Sequence, residues 1–399
     1  MRTMSQPREY PLTLPEAKTR LLKENLVLLA HQYEVSIAEA ELLQAKLLPN
    51  PTISWEQEAY SRQKREYFNA GNQYAVEVSQ LLPLAGKYAK NIRLAELTVT
   101  QKKYVLEEVL RSLLYELSTK YIDLAVLQAK DLIYKDMRLQ YETLIFHTQE
   151  RVNVGTTAPK EVFRLQSEKL NIEAEITQNR NMIVETLAQL RLMLNLPPDV
   201  VIVANEPVVP ESFAKDFNAL LEQAYAQRPE AKLSAWRLEY EQANLKWQKS
   251  LRFPDIEVAL QYDKGSNYTT DYRGIGLRTN LPLFNRNQGG IRMADARIKQ
   301  AEIERNQTVN TIANEVTMAW LQLENSKKGL ELFSKEHLRK MEELNDNANL
   351  NYEKRYINLL EFLDLQRIYL NSKLQYLNLK YELLKSIQLI NYVVGTEVF

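Results

Sequence analysis

Apolar positions along this chain follow two periods. In PDIEVALQYD, Ile256, Val258, Leu260 and Tyr262 alternate with Glu257, Ala259 and Gln261. Tyr74, Val76 and Val78 alternate with Ala75, Glu77 and Ser79, Ile53 and Trp55 with their polar neighbours, and Ile275 and Leu277 with Gly276 and Arg278. A period of two is that of a strand with one apolar and one polar face. Elsewhere the period lengthens. Leu106, Leu110, Leu113, Leu117, Tyr121 and Leu124 form a helical stripe. Residues 88 to 150 contain almost no helix breaker, which predicts a helix of roughly 95 Å. Gly155 and Pro159 then allow a reversal into a return helix. Leu363, Leu370, Leu374, Leu377, Tyr381 and Leu384 mark a second return. The pattern predicts strands over about 51–60, 73–82, 254–263 and 273–281, and helical hairpins over 85–196 and 285–393.

The two halves resemble each other. The corner Leu82-Pro83-Leu84 recurs as Leu281-Pro282-Leu283, at an offset of 199. Ile92-Arg93-Leu94-Ala95-Glu96 recurs as Ile291-Arg292-Met293-Ala294-Asp295. Before each strand pair a helix stops at proline, Pro51 in one half and Pro254 in the other, because proline lacks the N–H donor and biases its predecessor out of the helix. Beyond the corners, NVGTTAPKEVFRLQSEKL parallels EKRYINLLEFLDLQRIYL at an offset of 200. An internal repeat of residues 1–203 and 204–399 follows, with a Pro/Val-rich interruption at 197–214. Arg228-Pro229 should break a helix in the second half.

Composition narrows the chemistry. Lys plus Arg equals Asp plus Glu, at 51 each, so charge gives no sign of a nucleic-acid partner. With no Cys in the chain, disulfides, thiol catalysis and Cys-based zinc sites are excluded. His31, His147 and His337 are far apart, and Met is too scattered for a thioether relay. No metal site, cofactor or catalytic constellation emerges, so the chain does not read as an enzyme. No apolar run reaches the length of a membrane helix, and the opening MRTMSQPREYPLT contains no apolar signal-peptide core.

The strands admit two readings. One is a pair of half-buried hairpins in a soluble α+β protein or filamentous coiled-coil scaffold. The other is membrane-spanning, since strands of about ten residues with one apolar face fit a tilted transmembrane strand. Four strands cannot close a barrel, so that reading demands several chains. Three would give a closed barrel of twelve strands. The connecting loops, SRQKREYFNAGN and KGSNYTTDYR, are polar and long.

The proline-bounded strand pairs, LPNP, the Leu-Pro-Leu corners and RVNVGTTAPKEV resemble the TolC family of outer-membrane efflux channels, over residues 12 to 394. LPNP and LPLAGK resemble its heavy-metal and multidrug branch. The resemblance implies an α+β membrane protein: a homotrimer with a twelve-stranded barrel in the Gram-negative outer membrane and an α-helical tunnel through the periplasm. It implies a passive duct for metal ions or drugs, docked at its helical tips by a periplasmic adaptor fed by an inner-membrane pump of the resistance-nodulation-division type. Many relatives begin with a signal peptide and a lipid-bearing Cys, which this sequence does not show.

On this reading Ile256, Val258, Leu260, Tyr262, Tyr74, Val76 and Val78 face lipid, while Glu257 and Gln261 face the lumen. Pro51, Pro83, Pro254 and Pro282 make the strand–helix corners. Val154, Gly155, Thr156 and Thr157, with Arg355, Tyr356, Ile357 and Leu359, form the docking tips, although Arg355 stands where the family usually places Gly. Glu361 and Asp364, three residues apart on one helix face, match positions where the family places acidic rings at the periplasmic entrance. They are the expected gate, with Arg355 and Arg367 as candidates to offset their charge.

Overall fold

A computed structural model describes residues 8–62, 65–68, 73–210, 216–265 and 269–398. Parts of both polar loops and the end of the 197–214 interruption lie outside these residues. The chain divides into two compact units, each drawn from both halves of the sequence.

The first unit comprises Met1–Ala30, Glu107–Arg228 and Asn310–Phe399. It opens with β1 (Arg8–Leu12) and α1 (Leu14–Glu24). Thr13 caps α1, and its backbone N–H donates back to Glu16 Oε2 at 2.9 Å, which closes a capping box. Asn25 separates α1 from α2 (Leu26–Ala45) and is buried. Its Nδ2 donates to the Met193 carbonyl at 2.8 Å, and its Oδ1 accepts from Leu28 N at 2.9 Å. The backbone N–H of Asn25 closes α1 on Leu21 O at 3.1 Å, and its side chain starts α2.

Among the remaining elements, β2 (Thr52–Gln57), β3 (Tyr60–Ser61), β4 (Glu66–Tyr67) and β5 (Tyr74–Leu82) precede α3 (Lys87–Asn153). The 67 residues of α3 span roughly 100 Å at 1.5 Å per residue. Helix α4 (Pro159–Met193) returns alongside it. Within the 197–214 interruption lies β6 (Val200–Ala204), which pairs parallel with β1. Gln128 completes the open edge of β6, donating to Ile202 O at 2.8 Å and accepting from Ala204 N at 3.0 Å. Tyr121 donates to Leu12 O at 2.7 Å. Leu21, Leu117, Leu124, Leu190 and Ile202 close an apolar core around this small sheet.

The second half runs α5 (Phe217–Gln227), α6 (Pro229–Ser250), β7 (Ile256–Asp263), β8 (Tyr272–Thr279), α7 (Gln288–Glu331), α8 (Lys335–Glu353) and α9 (Leu359–Val394). The break between α5 and α6 falls at Arg228-Pro229, where proline starts a new helix. The outgoing helix of the second hairpin, expected to be uninterrupted, stops at residues 332–334 and restarts. Ser334 accepts from His337 N at 3.1 Å and caps α8. In the far part of this unit α3, α4, α8 and α9 share one core, which holds Met137, Tyr141, Leu165, Ile176, Tyr352 and Phe362.

The second unit comprises His31–Leu106 and Pro229–Val309. Its centre is an antiparallel sheet in the order β2-β5-β7-β8, so β5 and β7 join the two hairpins into one surface. The corners that bound it are pinned by side chains. Asp255 Oδ1 accepts from Leu84 N at 3.0 Å and from Lys87 Nζ at 2.7 Å. At the second corner, Asn287 Nδ2 donates to Gln248 O at 2.9 Å.

Candidate functional site

The sheet sorts its side chains by chemistry. Antiparallel partners share a face, and the register pairs Ile53 with Val78, Trp55 with Val76, Val76 with Tyr262, Val78 with Leu260, Leu260 with Ile275, and Val258 with Leu277. One face is therefore apolar across all four strands, with Ile256, Val258, Leu260, Tyr262, Tyr74, Val76 and Val78 together on it. Ile53 and Ile275 are 71% and 78% exposed. Near the strand ends away from the corners, Trp55 stacks on Tyr74 at 5.3 Å, and Tyr74 lies 5.9 Å from Tyr262.

The opposite face is polar and cross-linked. Ser79 donates to Glu257 Oε1 at 2.6 Å, and Arg278 reaches Glu257 at 3.1 Å and Glu77 at 3.2 Å. Gln261 also donates to Glu77. Among the described residues, strands β2 and β8 are each paired on one side, which leaves two open sheet edges. An exposed apolar sheet face with open edges needs cover that a single chain does not provide. Among the described residues no helix is long and apolar enough to cross a membrane. The corner prolines flank this sheet, with Pro51 exposed and Pro83, Pro254 and Pro282 half-buried.

The two helical tips lie in the first unit and share one turn. At the end of α3, Gly155 N donates to Val152 O at 3.0 Å and Thr156 N to Arg151 O at 2.9 Å. At the end of α8, Arg355 N donates to Tyr352 O at 3.1 Å and Tyr356 N to Asn351 O at 2.8 Å. This is the Schellman closure of a helix, which requires a left-handed residue. Gly155 supplies it with φ 75° and Arg355 with φ 64°. For a residue bearing Cβ that conformation costs about 1 kcal/mol, so the arginine accepts a strain that glycine avoids. Arg151 also donates to the Glu353 carbonyl at 2.9 Å and ties the first tip to the second.

Val154, Gly155, Thr156, Arg355 and Tyr356 are exposed, while Thr157 and Ile357 are half-buried. Leu359, expected on the docking surface, is instead 5% exposed and belongs to the four-helix core. It is the first residue of α9, and its phase on that helix is the phase of Phe362 and Leu363, which are also buried. The exposed leucine at this end is Leu360, which reading by chain position missed and helical phase could have found.

Glu361 and Asp364 are both exposed in the first turns of α9. Asn358 caps this helix, accepting from Glu361 N at 3.0 Å. Arg367, a candidate to offset the acidic pair, is engaged instead by Glu168 of α4. Glu161, the first-half counterpart of Glu361, is half-buried. It lies near the Tyr352 hydroxyl, which burial, with this carboxylate adding to it, holds above its ordinary value. His147 is exposed and packs edge-on against Phe146 at 5.6 Å. Among the described residues no group of three or more His, Asp or Glu is arranged to hold a metal ion.

Known proteins resemble this chain in sequence and in fold. Residues 220–396 match the sequence model of the outer membrane efflux protein family. The cobalt-zinc-cadmium resistance protein CzcC of Cupriavidus metallidurans is 22% identical over 393 residues, which cover 98% of this chain and 92% of the relative. A membrane protein from Pseudomonas aeruginosa superposes with a TM-score of 0.80 at 16% identity, covering 96% of this chain and 90% of that one. The outer membrane protein VceC of Vibrio cholerae does so with a TM-score of 0.75 at 15% identity, covering 96% of each chain. With its four-stranded sheet, its long helical hairpins and its paired tips, the chain has the fold of these membrane proteins, and its residues 220–396 are similar in sequence to the outer membrane efflux protein family.

Proposed function

We propose that three copies of this chain close into a twelve-stranded barrel in the outer membrane and an α-helical duct in the periplasm. The observation that carries this reading is the sheet, apolar on one face, polar on the other, and open at both edges. Pairing β2 of one copy with β8 of the next satisfies those edges without exposing backbone to lipid. The apolar face then meets lipid, and the Glu77–Arg278–Glu257 network lines water. A scaffold in water would leave Ile53, Trp55, Ile275 and Leu277 uncovered, which disfavours that alternative. Light scattering of the purified protein should find a trimer that needs detergent. A stable monomer that stays soluble without detergent would overturn the assembly.

The duct performs no chemistry. A periplasmic adaptor docks at the tips, and an inner-membrane pump delivers the cargo, metal ions or drugs. The name of the relative CzcC favours divalent metal cations. Glu361 and Asp364 are exposed and lack an ion-pair partner among the described residues, which suits an acidic ring at the entrance. Replacing Glu361→Gln with Asp364→Asn should weaken cation selectivity, and blockade by multivalent cations, in planar-bilayer conductance. If both survive the double change, the pair is a solvated helix face.

A further inference from the structure

The two tips differ in charge although their backbones agree. The apex residues 153–157, Asn-Val-Gly-Thr-Thr, carry no charged side chain. The matching residues 353–357, Glu-Lys-Arg-Tyr-Ile, carry three. Glu353 and Lys354 cancel, so Arg355 sets the sign of the second apex. Its side chain is exposed, and no described residue pairs with its guanidinium. At Gly155 an added Cβ would meet nothing within 4 Å, so the space around this turn does not dictate which residue occupies it. The second tip keeps a strained left-handed arginine where glycine would close the same turn without that strain. Strain retained with no contact inside the chain to offset it points to a contact outside.

We propose that Arg355 is the charged anchor of the second tip, and that it engages a carboxylate on the periplasmic adaptor. The first tip presents only backbone and small side chains around Gly155. The inference rests on the reading of the tips as the docking surface, and it makes the two tips inequivalent: the adaptor contacts one without charge and the other through an acidic residue. Tyr356, the next residue along the chain and 75% exposed, adds an aromatic ring to the same apex. A planar guanidinium gives a carboxylate two parallel hydrogen bonds, and a lysine at the same place would keep the charge but not the fork.

Binding of the purified adaptor of the same efflux system to the detergent-solubilised channel tests this, with Gly155→Val as the control for tip docking. We expect Arg355→Glu to weaken binding at least tenfold and Arg355→Lys to weaken it about threefold. Arg355→Gly, which relieves the strained turn, should raise the thermal midpoint of the channel and still weaken binding, an outcome a purely structural role does not produce. Changing the contacting adaptor carboxylate to lysine should restore binding to Arg355→Glu. If Gly155→Val abolishes binding while Arg355→Glu and Arg355→Gly bind like the parent, the anchor is overturned and tip docking stands. If neither position affects binding, tip docking fails and takes the anchor with it.

Discussion

The outgoing helices of the two hairpins follow one plan and part at one place. In the first hairpin, α3 passes without interruption through Asp131, Leu132, Ile133 and Tyr134. In the second, Glu331, Leu332, Phe333 and Ser334 stand at the matching positions, and the helix stops. Tyr134 is buried in the four-helix core, so continuing the helix there removes a large ring from water. Ser334 has no such side chain to bury. Its hydroxyl caps a new helix instead. Phe333 turns to pack 5.8 Å from His337 and 5.9 Å from Tyr376. The amphipathic stripe specifies that a helix forms, and the two hairpins differ where Tyr134 is buried in one and Ser334 caps a restart in the other.

The shared core gives the largest effects. Phe362 of the second hairpin stacks on Tyr352 at 4.7 Å and is fully buried, as is Leu165 of the first. Phe362→Ala should cost about 3–5 kcal/mol and Leu165→Ala about 2–5 kcal/mol. Because one core serves both hairpins, each change should lower the same cooperative transition when helicity is followed on heating. Two separable transitions would show that the hairpins melt independently.

The break should respond to smaller changes. Ser334→Ala removes the cap and should cost about 1 kcal/mol, read as faster hydrogen exchange at the first amides of α8. Ile133→Phe with Tyr134→Ser, which copies the second hairpin into the first, should open exchange near residue 134. If α3 keeps its protection after that swap, the break is set by packing around Phe333 rather than by the residue at the cap.

Buried tyrosines should make both hairpins sensitive to alkali. Burial, with Glu168 adding to it and Arg367 opposing it, pushes the Tyr141 hydroxyl of the first hairpin up to about 12. Because the hydroxyl is a weaker acid in the folded state, the unfolded chain loses its proton first. The contribution is complete below about pH 10 and is lost as pH climbs toward 12. Tyr141→Phe should flatten the fall of thermal midpoint across that window. An unchanged slope would assign the alkaline loss to other groups, Tyr381 of α9 among them, whose hydroxyl burial also pushes to about 12.

Much of this architecture is legible in local pattern. The proline corners and the strand alternation are visible because each depends on residues within a few positions of one another. The β1–β6 pair was not, because Arg8 meets Val200 across most of the first half, and a five-residue run such as Val200–Ala204 reads as loop until its partner is known. Leu359 was misplaced because proximity to the reversal suggested exposure, whereas helical phase turned it inward. Arg355 marked the second tip as unusual, yet only the backbone showed that the arginine adopts the turn glycine adopts.

The sequence by itself determined the two periods, the paired corners, the two reversals and the acidic positions beyond the second of them, since these follow from side-chain chemistry and backbone preference at short range. Only the tertiary structure decided that β5 pairs with β7 to make one sheet from two hairpins, that Arg151 reaches the carbonyl of Glu353, and that Arg367 is held by Glu168 rather than left to the acidic pair. Each of these joins groups about two hundred positions apart along the chain. Such contacts depend on how whole elements pack, and no local window of residues contains both partners.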